Sequence, residues 1–368
     1  MQSTVFITGG TGLVGADIIR RLLRDAKVDS VIALVRGEER EARPRLLEAV
    51  RQLETCTLGA RELEKLTVVS GDVTESYFGR SRQEWQRIAR SVTHIIHSAA
   101  DVRFNLSLAE ARRVNLGGTR MMLDFAEESA EAGRLEHFAY VSTAYVCGER
   151  TGRISEETRE RPPAFTNSYE QSKWECEREV RAAMTRFPAT IFRPSIIVGD
   201  SRTGRTNAFK ALYAPLRMIL RGMLQALPDA KAPLDVVPVD YVSRVICHVL
   251  LAGRGEGRTL HLTAGAKRSC SVAEIAFRAL HAAGVAVSPA TAQSANAASV
   301  SNAAAQRTAQ VLAAFSSYMS EERDFDDSNT RSAVAGAGIG VPALRDYLDT
   351  IVEFCLETNW GKRRLEAA

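Results

Sequence analysis

Short apolar runs alternate with longer segments whose apolar residues recur every three or four positions. Val5-Phe6-Ile7 has the length of a buried strand, Ile18, Ile19, Leu22 and Leu23 then follow helical spacing, and Ser30 to Val35 supplies a second run. The same change of period recurs along the chain. A charged helix over about Glu38 to Glu54 precedes Leu66-Thr67-Val68-Val69, and a helix near Gln83 to Arg90 precedes Val92 to Ile96. A long helix from about Ser107 to Ala132 precedes Phe138 to Val141, and one from Ser168 to about Arg186 precedes Ala189 to Phe192. Strands that are apolar throughout and joined by helices predict an α/β fold, a doubly wound parallel sheet covered on both faces.

After Phe192 the alternation fades. Asn207 to Gly222 is amphipathic but interrupted by Pro215, Leu234 to Leu251 reads as a short strand with a helix from about Asp240, and a last helix runs from about Leu344 to Asn359. Ala290 to Ala305, rich in alanine, serine and asparagine, predicts an irregular surface insertion or a weak helix. The expected organisation is a sheet domain over residues 1–200 and a smaller C-terminal lobe over 201–368, with Leu234 to Leu251 as the segment able to return to the core.

Between the first strand and first helix stands Thr8 to Gly15, TGGTGLVG, with glycines at Gly9, Gly12 and Gly15. Glycines here permit a tight turn and close approach of a diphosphate to free N–H groups at the positive end of the helix dipole. This is the Rossmann type of dinucleotide site. The second strand ends in Ala33-Leu34-Val35-Arg36, without the acid that usually holds the ribose hydroxyls of NAD. Arg36 can instead pair with a 2′-phosphate, which favours NADP(H), or it is one more solvated arginine. Arg45 on the next helix can assist.

Further polar groups fall at strand ends. Asp72, in Ser70-Gly71-Asp72-Val73, can accept from an adenine amino group or cap its own turn. Ser98-Ala99-Ala100 offers small side chains beside a cofactor, while His94 and His97 read as core or edge histidines. Asn115, in Val114-Asn115-Leu116-Gly117-Gly118-Thr119, weakens its helix and predicts a local reason such as a hydrogen-bond relay. Ser142 and Thr143 end the fifth strand with hydroxyls able to polarise a substrate oxygen. In Ser168-Tyr169-Glu170-Gln171-Ser172-Lys173 the i,i+4 spacing puts Tyr169 and Lys173 on one helix face, where the ammonium is expected to lower the tyrosine pKa and make it a proton donor.

Composition narrows the field. A net charge of +4 from scattered arginines argues against a nucleic-acid face. The six cysteines have neither metal nor paired spacing, so no metal site is expected. Met1 leaves no room for a secretory signal and no apolar run reaches about 18 residues. The expectation is a cytoplasmic, reduced protein with no integral membrane segment.

Thr8 to Gly15, Asp72, HSAA at His97 to Ala100, Asn115 within NLGGT, Ser142-Thr143, Tyr169 with Lys173, and Arg193-Pro194-Ser195 together resemble the extended short-chain dehydrogenase/reductases. LVRG after strand two, RPSIIVGDSRTGRTN, LDVVPVDYV, and FDDSNTR followed by GIGVP look like the thioester-reductase and fatty acyl-CoA reductase branch. The resemblance implies a catalytic set of Thr143, Tyr169 and Lys173 supported by Asn115. Around NADP(H) it implies Gly9, Thr11, Gly12, Leu13, Val14, Gly15, Arg36, Asp72, Val73, Ser98, Ala99, Ala100, Lys173, Pro194, Ser195 and Ile196, with Tyr169 alongside. It implies reduction of an acyl-CoA or acyl carrier protein thioester to the aldehyde, or on to the alcohol. Sugar-nucleotide epimerisation, hydroxysteroid-type dehydrogenation and non-catalytic NADP(H) sensing are the alternatives. Reductase domains of this kind often end a synthase, whereas strand one follows Met1 here, so the carrier protein or coenzyme A is expected from outside. Phe209, Leu212, Tyr213, Leu216, Met218, Ile219 and Leu220 offer an apolar surface for an acyl chain or pack the lobe.

Overall fold

The computed structural model describes residues 3–54, 56–221, 233–285 and 322–363. Seven strands form one sheet: β1 (Thr4–Thr8), β2 (Ser30–Val35), β3 (Leu66–Ser70), β4 (His94–His97), β5 (His137–Val141), β6 (Ala189–Pro194) and β7 (Thr259–Leu262). Their order is β7-β6-β5-β4-β1-β2-β3 and every neighbouring pair is parallel. Six of these strands follow from the hydrophobic pattern; β7, a four-residue Thr-Leu-His-Leu segment behind the glycines of the 253–257 turn, does not.

Because β2 and β3 extend the sheet on one side of β1 and β4 to β7 on the other, strand order reverses between β1 and β4. A crevice opens there at the carboxyl ends of the strands. Register brings those ends level: Thr8 pairs with His97, His97 with Tyr140, Val141 with Phe192, and Pro194 with Leu262.

The crossover helices are α1 (Leu13–Arg24), α2 (Glu39–Arg51), α3 (Arg82–Ala89), α4 (Gly117–Glu131) and α5 (Ser168–Ala183). The expected long helix is broken in its rise: Leu108–Ala111 is α-helical, Arg112–Leu116 is a π turn, and α4 continues it. The π turn holds Asn115.

Helix α6 (Val239–Leu251) lies against α1, its Val242, Val245, Ile246 and Val249 fully buried in the same core as Ile18, Ile19 and Leu22. A buried polar clasp ties the two helices. Arg21 Nε donates to Asp17 Oδ2 at 2.8 Å and to Ser243 Oγ at 2.7 Å. Burial raises the Asp17 pKa, but Arg21, Arg20 and Ser243 outweigh it and leave the carboxyl below its ordinary range.

A second core gathers Leu212, Tyr213, Leu216, Leu234, Val272, Ile275, Leu348 and Ile351 with the loop from Ala144 to Cys147. Short strands lace it to the sheet: Ile196–Val198 beside Val236–Pro238, and Gly152–Ile154 beside Arg323–Phe325. Ala290 to Ala305 lies outside the described residues. No helix among those described is long and apolar enough to cross a membrane.

Candidate active site

The glycine turn meets the end of β4 at close quarters. Gly9 has φ +77°, and a Cβ there would lie 2.7 Å from the Ala99 nitrogen. One at Gly15 would collide with the Gly9 carbonyl oxygen. Gly12 N donates to Gly9 O at 3.0 Å, closing the turn. No side chain caps α1 and no acid stands in its first turn, so free N–H groups of Leu13, Val14 and their neighbours meet the crevice with the positive end of the helix dipole. Thr11 is exposed at the turn's tip. These residues form a cradle that fits a diphosphate.

At the end of β2, Arg36 is exposed and Arg45 folds back over it, Nη1 donating to the Arg36 carbonyl at 2.6 Å. Two arginines therefore stand at the strand end where an acid would hold a ribose. At the end of β3, Asp72 caps its own turn: Thr74 N and Oγ1 both donate to Oδ1 at 2.9 Å. Val73 packs on α4, where a Cβ at Gly118 would sit 2.9 Å from Val73 Cγ2. Ala99 N donates to Thr8 Oγ1 at 3.2 Å. His97 is buried beneath, its Nδ1 2.8 Å from Thr8 Oγ1 and its Nε2 3.2 Å from Thr119 Oγ1. Burial, with the Lys173 cation as second cause, brings its pKa down to about 3.

Thr143, Tyr169 and Lys173 converge at the end of β5. Thr143 Oγ1 accepts from Tyr145 N at 3.3 Å, capping a short 3-10 turn, and the Tyr169 side chain hydrogen-bonds to Thr143. Lys173 is 2% exposed, and its Nζ donates to the Val141 carbonyl at 2.7 Å. Burial lowers its pKa to about 8, against the opposing pull of Cys176 and Glu177. The expected lowering of the tyrosine pKa is not realised. Burial and then the Glu170 carboxylate raise it, the Thr143 bond opposes only in part, and Lys173 is committed to Val141 instead. The phenol is thus fully protonated at neutral pH.

Asn115 is the relay. Its Oδ1 accepts from Asp101 N at 2.7 Å, while Nδ2 donates to Asp101 O at 3.1 Å and to Ser172 Oγ at 2.9 Å. Ser172 Oγ in turn donates to the Tyr169 carbonyl at 2.8 Å. One amide in the π turn therefore fixes the loop after β4 to the helix that bears the tyrosine. Asp101 and Ser172, like Phe104 with its ring 6.1 Å from that of Tyr169, were missed in the sequence reading. The only signal was their adjacency to HSAA and to the Tyr-Lys pair.

Pro194, Ser195 and Ile196 stand at the end of β6, three strand spacings or about 14 Å from β1. Ser195 N donates to Leu262 O at 3.2 Å. Beside it, the buried Asp235 accepts from Ala264 N at 2.8 Å and Gly265 N at 2.9 Å. Burial raises its pKa in spite of those bonds and Ser195. Behind the site, Arg193 donates to Glu177 from Nε at 2.9 Å and Nη2 at 2.7 Å, joined by Arg181 Nη2 at 3.0 Å. Burial alone would raise Glu177, but the two guanidinium groups hold it at about 2.

The proposed acyl surface divides. Leu212, Tyr213, Leu216 and Ile219 are core of the lobe, and Tyr213 Oη accepts from Gly199 N at 2.7 Å. Phe209, Met218 and Leu220 are only partly buried.

Residues 7–246 match an NAD-binding sequence family described as male sterility protein. The nonribosomal peptide synthetase asaC of Aspergillus flavus is 31% identical over 278 residues, which cover 71% of this chain and 26% of the synthetase. Fatty acyl-CoA reductase wat of Drosophila melanogaster is 28% identical over 266 residues, 64% of this chain and 52% of that protein. Among solved structures, the terminal R domain of the myxalamid PKS-NRPS biosynthetic pathway has a TM-score of 0.83 at 26% identity, covering 98% of this chain and 92% of the R domain.

Proposed function

The chain belongs to the extended short-chain dehydrogenase/reductases, in their thioester-reductase branch, and from that premise we propose that it is an NADPH-dependent reductase of acyl thioesters, forming the aldehyde and free thiol. Membership makes it an oxidoreductase with a nicotinamide cofactor. The observation that most supports the finer reading is the convergence of Thr143, Tyr169 and Lys173 on the end of β5, in the same crevice as the glycine cradle.

The residues fit the cofactor. The turn from Gly9 to Gly15 would hold the diphosphate, Arg36 and Arg45 the 2′-phosphate, Asp72 and Val73 the adenine, and Ser98 to Ala100 the neighbouring ribose. Lys173 and Pro194 to Ile196 would hold the nicotinamide end. When bound, NADPH supplies the hydride that the thioester carbonyl carbon accepts. Thr143 orients the carbonyl oxygen with its hydroxyl, and Tyr169 protonates that oxygen as charge develops on it. Lys173 keeps a positive charge close to the tyrosine, and Asn115 holds the Tyr169 helix in register with the loop after β4. The resulting hemithioacetal expels the thiol and leaves the aldehyde. Similarity to a peptide synthetase and to a terminal R domain supports a carrier-bound thioester, and similarity to a fatty acyl-CoA reductase supports coenzyme A.

The test incubates the protein with NADPH and a panel of acyl-CoA and acyl-carrier thioesters, following absorbance loss and trapping aldehyde with a hydrazine. Loss of absorbance with trapped aldehyde is expected for at least one thioester. A second expectation concerns Arg36. NADPH should bind more tightly than NADH, and Arg36→Ala should weaken NADPH by on the order of tenfold to a hundredfold, the worth of one charge-assisted contact, while leaving NADH unchanged. Fluorescence titration reads both, and equal affinities in the wild type would refute the NADP assignment.

A further inference from the structure

Resting on the catalytic role proposed for Lys173, we infer that Tyr140 is a positioning residue: its buried ring face and the Val141 carbonyl hold the Lys173 ammonium in place and keep it charged. The Lys173 Nζ lies 4.2 Å from the centroid of the Tyr140 ring. Both residues are essentially removed from water, at 2% and 0% exposure. A cation in such a place must find compensation within the protein. Among the described residues no carboxylate forms an ion pair with it. Glu177, the acid whose charge favours the lysine cation, has both of its oxygens occupied by Arg193 and Arg181. What remains within reach is one carbonyl and one aromatic face.

The two come from consecutive residues. In β5 alternate side chains point to opposite faces, so Tyr140 turns its ring toward α5 while the next peptide offers its carbonyl to the same ammonium. Two residues further, the strand delivers Thr143 to Tyr169. A single strand end thus sets the hydroxyl and the ammonium together.

Other titratable groups around Lys173 come from β4 and from α5. His97 on β4, its ring 5.7 Å from that of Tyr140, stays neutral because burial and the lysine itself hold its pKa near 3. On α5, Cys176 and Glu177 favour the charged lysine, and Tyr169 stays a neutral phenol. The Tyr140 hydroxyl lies near Thr119 and Cys176, and the ammonium stands over the ring itself. The ring, and not the hydroxyl, is therefore the supporting group.

The chain has only seven lysines, so 13C labelling of their ε-carbons lets NMR follow each titration, with Lys173 assigned from a Lys173→Arg spectrum. Wild-type Lys173 should titrate near 8. Tyr140→Phe should stay within about half a unit of that, and Tyr140→Leu should fall by about one unit or more, the shift to which a desolvated cation–π contact corresponds. Should the leucine variant not fold, a trifluorinated phenylalanine at this position keeps the volume, withdraws the negative face, and should shift Lys173 in the same direction. An unchanged Lys173 titration in the leucine or fluorinated protein would overturn the inference, as would a full shift in Tyr140→Phe. The readout needs neither substrate nor turnover. Inert thioesters together with the expected shifts would remove the proposed function and leave the support of Lys173 by Tyr140 standing.

Discussion

Replacing Tyr169 with phenylalanine is expected to lower turnover by about two to four orders of magnitude, the usual contribution of a positioned acid, with fold and cofactor affinity unchanged. Phenylalanine keeps the ring that faces Phe104 at 6.1 Å. The bond lost is the one to Thr143, whose oxygen still accepts from Tyr145 N. The phenol is raised above its ordinary pKa by burial and by Glu170, so it remains a proton donor across the neutral range. Lys173 sets the alkaline limit. With its pKa near 8, the wild-type rate should fall as pH rises through that value and the ammonium is lost. Single-turnover rates, NADPH titration and the thermal midpoint of the variant check all three statements. A fully active Tyr169→Phe protein would place the proton donor elsewhere.

The second large effect is on stability in acid. His97, His137 and His261 are 0–1% exposed and are pushed down to about 3, about 4 and about 3, in each case chiefly by burial. Each is held by neutral or cationic partners: His97 by Thr8 and Thr119, His137 by Thr190, and His261 by the Asp326 carbonyl and Arg193. In the unfolded chain they take up protons near the ordinary value of about 6.5, while the folded chain does not. The unfolded state therefore binds more protons below that pH, and stability is lost as pH falls from about 6.5 toward 4. Linkage gives about 2 kcal/mol for each at pH 5. Asp235, Asp240 and Glu156, whose pKa values burial raises, return part of this because they bind protons more readily when folded. The net expectation is a loss of about 4–6 kcal/mol between pH 7 and pH 5. Below about 4.5 Glu177, held near 2, adds to it as its bonds to Arg193 and Arg181 are threatened. Urea unfolding at the two pH values measures the difference. Equal free energies at pH 7 and pH 5 would mean that these histidines are protonated in the fold.

How much of this was legible in the sequence follows from range. The glycine cradle, the end of β2 and the Tyr169–Lys173 spacing are local, so period and residue type disclosed them. Asn115 was legible as an anomaly, a polar residue beside two glycines within a helical pattern, and the π turn with its bonds to Asp101 and Ser172 is the cause. The rest depends on contacts between distant residues. Lys173 meets the carbonyl of Val141, 32 positions earlier, and at Tyr169 desolvation and the Glu170 charge move the pKa in the direction opposite to the one expected from spacing. Helical apolar spacing says that Leu212, Tyr213 and Leu216 face something apolar, but not whether it is a ligand or the lobe's own helices, and the helices Val272–Ala282 and Leu348–Glu357 take that place. β7 was missed because four residues give too little alternation to separate a strand from a turn.

The central claim is hydride delivery to a thioester carbonyl. NADPH deuterated at the transferring position of its nicotinamide C4, incubated with the protein and an acyl thioester, should yield an aldehyde whose carbonyl carbon bears the deuterium, seen by mass spectrometry of the hydrazone, with one free thiol released per aldehyde. If every acyl-CoA and acyl-carrier thioester is returned unlabelled and intact, while a sugar nucleotide or a hydroxysteroid with NADP⁺ turns over in the same preparation, the thioester assignment is contradicted.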